Sequence, residues 1–171
     1  MSKLKTKERE PARNQTTVER KSERERVVKR TFNAPARVVF EAWTQPELMK
    51  RWWVPKSAPI SLVSCAMDVR VGGGYRLSFE SDAMPPMDFF GRYLDVIPNA
   101  RLVWTNEEGG ENGSTTTVTF EERDGETTVV VSELYPSTEA LEADGAHEAA
   151  AETHAQLDEL LASLTASAGA R

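Results

Sequence analysis

The sequence predicts an α+β fold in which one long C-terminal helix closes a curved antiparallel sheet. Three observations predict it. Helical spacing appears early only between about residues 35 and 52. Strand-period patterning then runs from Ile60 to Leu134. After Ser137 the apolar period changes to that of a helix.

Each element has its own justification. Val27, Val28 and Phe32 sit among polar neighbours as a first strand. Asn33-Ala-Pro35 punctuates it: Asn33 or Ala34 can cap a helix, and Pro35 suits a first helical turn. Val38, Val39, Ala42 and Trp43 give an amphipathic helix over about 35–44. Gln45-Pro46 restarts a second over about 46–52, with Leu48, Met49, Trp52 and Trp53 on its buried side and Pro55 and Pro59 beyond it.

The strand region begins with Val63, Cys65 and Met67 alternating against Ser64, Ala66 and Asp68. Gly72-Gly73-Gly74 makes a turn, flanked by an Asp68/Arg70 pair read as stabilising it. Tyr75, Leu77 and Phe79 alternate with Arg76, Ser78 and Glu80, the clearest period-2 signal in the chain. Phe89, Gly91 and Tyr93 share a face, Pro98-Asn99 turns the chain, and Leu102 and Trp104 follow. After a glycine-rich loop over 109–113, Thr116, Val118 and Phe120 point one way and Thr117 and Thr119 the other. Asp124-Gly125 is a hairpin turn leading to a last strand over 127–134. Six or seven strands result. Ser137 or Thr138 then caps the closing helix, whose stripe Leu157, Leu160, Leu161, Leu164 runs to about Thr165.

Composition bounds the function. The 171 residues carry a formal net charge of −6, unevenly spread: residues 1–30 hold eleven Lys/Arg against five Glu, and the remainder twenty-two acids against ten bases. The basic arm reads as a solvated tail, so 1–22 is expected to be disordered, 23–166 to be the domain and 167–171 to fray. Nucleic acid could be met only through that arm. One cysteine, Cys65, excludes an internal disulfide framework and reads as a buried inert thiol. No apolar run reaches the length of a membrane span and no secretory signal is present, so a cytoplasmic protein without membrane insertion is expected.

Six stretches carry a family resemblance: Arg30-Thr-Phe-Asn-Ala-Pro35, Val39-Phe-Glu-Ala-Trp-Thr-Gln-Pro-Glu-Leu48, Arg51-Trp-Trp-Val-Pro55, Met67-Asp-Val-Arg-Val-Gly-Gly73, Phe90-Gly-Arg-Tyr93 and Arg101-Leu-Val-Trp104. In this order the chain resembles the activator of heat-shock-protein-90 ATPase homologues, of the START-like, birch-pollen-allergen-like (SRPBCC) helix-grip superfamily, over about residues 26–164. The resemblance implies a helix-grip fold with an internal cavity. It also implies either a stand-alone small-ligand or lipid-binding domain or, as in eukaryotic relatives, a co-chaperone. The long helix of the family carries a Gly-Trp pair where this chain has Glu152-Thr153.

That substitution sharpens the candidate site. Large aromatics on the sheet face small residues on the closing helix, which leaves unfilled apolar volume with a few polar edges, the usual small-molecule site. The expected lining is Trp43, Trp52, Trp53, Met67, Tyr75, Leu77, Phe79, Phe89, Tyr93, Trp104, Ala150, Thr153 and Leu157, although core packing is the ordinary role of each taken singly. The occupant expected is a small apolar molecule or lipid, in a closed cavity of several hundred Å³. A protein partner met co-chaperone-fashion is the alternative. A cyclase- or hydrolase-like enzyme is the second alternative, and it needs a buried ionisable pair that the sequence does not display. No catalytic residue, cofactor or metal site is expected. His147 and His154, seven apart with Glu148 and Glu152 nearby, fail the H-E-x-x-H spacing and read as a solvated charged helix face. Glu133 is the one acid singled out for burial, because an acid in an apolar pocket has a raised pKa.

Overall fold

The computed structural model describes residues 15–108, 110 and 113–169. Eight antiparallel strands form one sheet in the order β1-β2-β8-β7-β6-β5-β4-β3. In chain order these are β1 (Thr17–Arg20), β2 (Glu25–Phe32), β3 (Ser61–Met67), β4 (Gly74–Glu80), β5 (Met87–Ile97), β6 (Arg101–Thr105), β7 (Thr115–Arg123) and β8 (Glu126–Leu134). Helices α1 (Ala36–Thr44) and α2 (Pro46–Trp52) fill the β2–β3 connection; α3 (Thr138–Ala143), a 3₁₀ turn (Ala146–Ala149) and α4 (Ala150–Gly169) follow β8.

This is the α+β helix-grip architecture, with one strand more than expected. The extra strand is β1, which the sequence assigns to the charged tail. Its residues pair with β2 from Thr17 opposite Lys29 to Arg20 opposite Arg26. All four β1 side chains are exposed, so the strand rests on main-chain hydrogen bonds to an otherwise free edge, which composition does not encode. Thr16 anchors it: its hydroxyl accepts from Arg30 Nη1 at 2.8 Å and lies 3.2 Å from His154 Nδ1. The ordered domain therefore begins before residue 23; residues 1–14 of the expected tail lie outside the described residues.

The closing helix is also not one piece. Ser137 caps α3, its Oγ accepting from Ala140 N at 3.1 Å. Asp144 then takes an extended conformation (φ −85°, ψ 116°) ahead of Gly145 and ends the helix. Arg26 Nη1 from β2 donates to the carbonyls of Leu141 (3.4 Å) and Asp144 (3.2 Å), supplying partners that the broken helix lacks. At the other end α4 runs to Gly169, beyond the expected stop near 165; residues 170–171 lie outside the description.

Turn chemistry follows the sequence closely. Asp124 and Gly125 both have positive φ (55° and 82°), the paired left-handed geometry of a tight hairpin. A Cβ on Gly91 would stand 1.9 Å from the Thr105 carbonyl oxygen, so only glycine lets β5 cross β6 there. One face assignment changes. A bulge between Leu62 and Ser64 turns Val63 outward, 46 % exposed, and Leu62 takes its place opposite Phe79. Phe32, Val39, Ala42, Trp52, Leu102, Val118, Leu157 and Leu161, each at most 2 % exposed, knit α1, α2 and α4 to the sheet. Among the described residues no helix is long and apolar enough to cross a membrane.

Candidate functional site

Strand parity builds the site. Arg26 lies opposite Glu133, Glu133 opposite Thr116, Thr116 opposite Trp104 and Trp104 opposite Tyr93. These five form one row across β2, β8, β7, β6 and β5 on the concave face, polar at one end and aromatic at the other. Tyr75, Leu77 and Phe79 of β4 extend the aromatic end.

Above this face lies a cavity of about 840 Å³. Trp43, Trp52, Trp53, Met67, Tyr75, Leu77, Phe79, Phe89, Tyr93, Trp104, Ala150 and Thr153 all border it. Leu157 does not. It is fully buried in the core cluster, because by that turn α4 packs against α1 and α2. Nor is the space closed. The main contacts of α4 are with α2, α1 and β2, and Phe89, on the far β4–β5 hairpin, is 39 % exposed at the rim.

The wall between α2 and β3 hangs from α4. Gln156 is buried, donates Nε2 to the carbonyls of Trp52 (3.2 Å) and Val54 (2.9 Å) and accepts from Lys56 N at 2.8 Å. One turn earlier Glu152 accepts from Ser57 N (3.0 Å) and Ser57 Oγ (2.6 Å). Trp52 and Trp53 are thereby held beside Trp43, ring centroids 4.8 and 5.7 Å away. The indole nitrogen of Trp43 is buried without a partner among the described residues, whereas that of Trp52 donates to the Ala42 carbonyl at 3.0 Å.

A polar chain lines one side of the cavity. Tyr75 donates to the Thr105 carbonyl (2.7 Å) or to Asn106 Oδ1 (3.1 Å), and Trp104 Nε1 reaches the same oxygen at 3.3 Å. Asn106 Nδ2 donates to Ser114 Oγ (3.0 Å) and Thr116 Oγ1 (2.9 Å), and Ser114 Oγ donates to Glu133 Oε2 at 2.6 Å. Burial foremost, then Asp144 and Glu108, lift the Glu133 carboxyl above its ordinary range against the pull of the Ser114 bond and, more weakly, of the Arg26 charge. Burial raises the Tyr75 and Tyr93 phenols as well and holds Cys65 up at about 11, a protonated thiol.

The two histidines depart from expectation. They do not share a solvated helix face, because the break at Asp144-Gly145 puts His147 on the 3₁₀ turn and His154 on α4. His154 is 5 % exposed, edge-on to Phe32 at 5.5 Å, and borders the cavity. His147 also borders it, with Nδ1 buried and without a partner among the described residues. Among the described residues no three His, Cys, Asp or Glu side chains converge as a metal site would require.

Sequence reasoning singled out Glu133 but missed Arg26, Asn106, Glu108, Ser114, Thr116, Tyr135 and Asp144 on the wall. For Arg26 and Thr116 the signal was there: each is two residues from an inward valine, Val28 and Val118, and so shares its face. The loop residues carried no such parity.

Residues 33–166 match the family described as activator of Hsp90 ATPase homolog 1-like protein. Among solved structures, a protein of Nitrosomonas europaea is 26 % identical with a TM-score of 0.75, over 86 % of this chain and 99 % of that one. A Rhodobacter sphaeroides protein is 21 % identical with a TM-score of 0.78, over 88 % and 99 % of the two chains. A protein from Aeromonas hydrophila, itself described as AHSA1-like, is 19 % identical with a TM-score of 0.60, over 83 % and 94 %. The last two speak for the fold alone. No curated protein matches the chain.

Proposed function

We propose that this chain, which belongs to the activator of Hsp90 ATPase homolog 1-like family, is a domain that binds a small apolar molecule or lipid. The observation that carries the reading is the cavity of about 840 Å³ between the sheet and the first turns of α4, walled largely by aromatic rings. Sites for small molecules have this size and this mix of apolar wall and few polar groups. An unoccupied apolar space is costly to a fold, and an occupant repays that cost by burying its own surface.

Thr153 is the position that tests it. It lies on the cavity wall with its hydroxyl donating back to the Ala150 carbonyl at 3.2 Å. Thr153→Trp adds side-chain volume on the order of 100 Å³ at that wall, about the space of one aromatic ring, and so removes part of the room open to an occupant. Native mass spectrometry of protein purified from its own host is expected to show a co-purifying small molecule. A fluorescent apolar dye should bind the wild type and be displaced from it, and bind Thr153→Trp more weakly. Equal uptake by the two proteins would refute the reading.

A further inference from the structure

We infer that the occupant is a cationic amphiphile: an aromatic or aliphatic body carrying a protonated amine, with the amine at Glu133 and the body along the row towards Trp104 and Tyr93. This rests on the cavity being a ligand site and adds which chemistry it selects.

The charges on the wall point to it. Three carboxylates, Glu108, Glu133 and Asp144, border the cavity against one guanidinium, Arg26. Although Arg26 lies directly opposite Glu133 in the β2–β8 register, its Nη1 donates to the carbonyls of Leu141 and Asp144. Its guanidinium carbon also rests 5.9 Å from the Tyr135 ring centroid. Tyr135 in turn donates its hydroxyl to Asp144. Among the described residues Glu133 is left with a hydroxyl partner, Ser114, and no ion pair, the Arg26 charge reaching it only from beyond ion-pair distance. A partly buried carboxylate without a counter-cation is costly, and a ligand ammonium supplies what is missing.

The rest of the cavity suits the rest of the molecule. Two strand spacings, roughly 10 Å, separate Glu133 from Trp104 across Thr116, the length of a fused two-ring body. The rings of Trp104, Tyr93 and Tyr75, packed on one another, offer apolar surface to that body. A fatty acid or other anion would meet three carboxylates with the one guanidinium already engaged.

The test uses three probes with one body: 2-naphthylmethylamine, 2-naphthylmethanol and 2-naphthoate, titrated calorimetrically into the full chain at neutral pH. The amine should bind at least tenfold more tightly than the alcohol, and the carboxylate more weakly than either. Glu133→Gln should erase the amine's advantage over the alcohol, with an unchanged far-ultraviolet circular dichroism spectrum reporting that the variant is folded. Glu108→Gln, at the exposed rim, should reduce the advantage less. Alcohol and amine binding equally, or an advantage that survives Glu133→Gln, would overturn the inference and leave the cavity reading standing. Failure of all three probes to bind would overturn both.

Discussion

Acid should weaken this fold through His154, and the size of the effect follows from its surroundings. The ring is edge-on to Phe32, and its Nδ1 shares the Thr16 hydroxyl with Arg30. Arg30 can only donate, so the hydroxyl accepts from it and keeps its own proton free to be given to Nδ1 of a neutral imidazole. The groups facing it are Arg30 from β2, Phe32 and Thr16; Asp158, one turn on, is held by Arg30. Burial first and the Arg30 charge second push the imidazole from 6.5 down to about 4. The unfolded chain therefore takes up this proton below pH 6.5, and the folded one refuses it until about pH 4. Stability is complete above the unfolded value, falls as pH drops between the two and levels off below the lower one. At about 1.4 kcal/mol per pH unit, the loss between pH 7.5 and pH 4.5 is about 2.5 kcal/mol, a large share of a stability of roughly 5–15 kcal/mol. The measurement is urea unfolding of wild type and His154→Gln at those two pH values. Other titrating groups act on both proteins and cancel in the comparison. Wild type should lose about 2.5 kcal/mol more than the variant; identical losses would refute the argument.

Three further outcomes can be measured by the same unfolding assay. Thr16→Val should cost about 2–3 kcal/mol, because it strips a partner from both buried Arg30 and buried His154; deletion through Lys21 should therefore lower the melting temperature, and an unchanged one would show that β1 contributes nothing. Asp158→Asn should cost about 3–5 kcal/mol by leaving Arg30, 4 % exposed, without its counter-charge, and Arg30→Met combined with Asp158→Leu should cost less than the single change. Gly91→Ala should cost more than about 2 kcal/mol, since the methyl meets the Thr105 carbonyl and β5 must part from β6.

How much was legible depended on where the information lay. The strand run could be read because Tyr75, Leu77 and Phe79, or Thr116, Val118 and Phe120, carry their own alternation; each face was fixed by residues two apart. The Val63 bulge escaped because the alternation continues straight through it, and only the pairing of Leu62 with Phe79 reveals the slip. Strand β1 escaped for the opposite reason: Thr17–Arg20 buries no side chain, and what holds it is the edge of β2 and the distant pair Arg30 and His154. The break in the closing helix lay in view at Asp144-Gly145, but its partner Arg26 is more than a hundred residues away. For the site, the aromatic wall followed from parity, and the polar end did not. Glu133 could be named as an acid near a strand end, whereas its bond to Ser114 depends on how the β6–β7 loop returns.

Stability and empty volume are separated along α4, and that separation is what makes the cavity tolerable. Its first turns present Ala150, Thr153 and the edge of His154 to the space, with no large apolar side chain among them. From Gln156 onward the helix is committed to the core: Leu157, Leu160 and Leu161 are each at most 3 % exposed against α1, α2 and the sheet. Gln156 marks the boundary, stapling the Trp52–Lys56 segment while its neighbours pack. The two halves should then respond differently to the same kind of change. Leu157→Ala opens a hole in the packed half and should cost about 2–5 kcal/mol with dye uptake little altered. Ala150→Leu adds three carbons on the cavity wall, where room exists, and should lower dye uptake while stability holds within about 1 kcal/mol. If Ala150→Leu destabilised as much as Leu157→Ala, the first turns of α4 would be core like the rest, and the space above the sheet would not be available to any ligand.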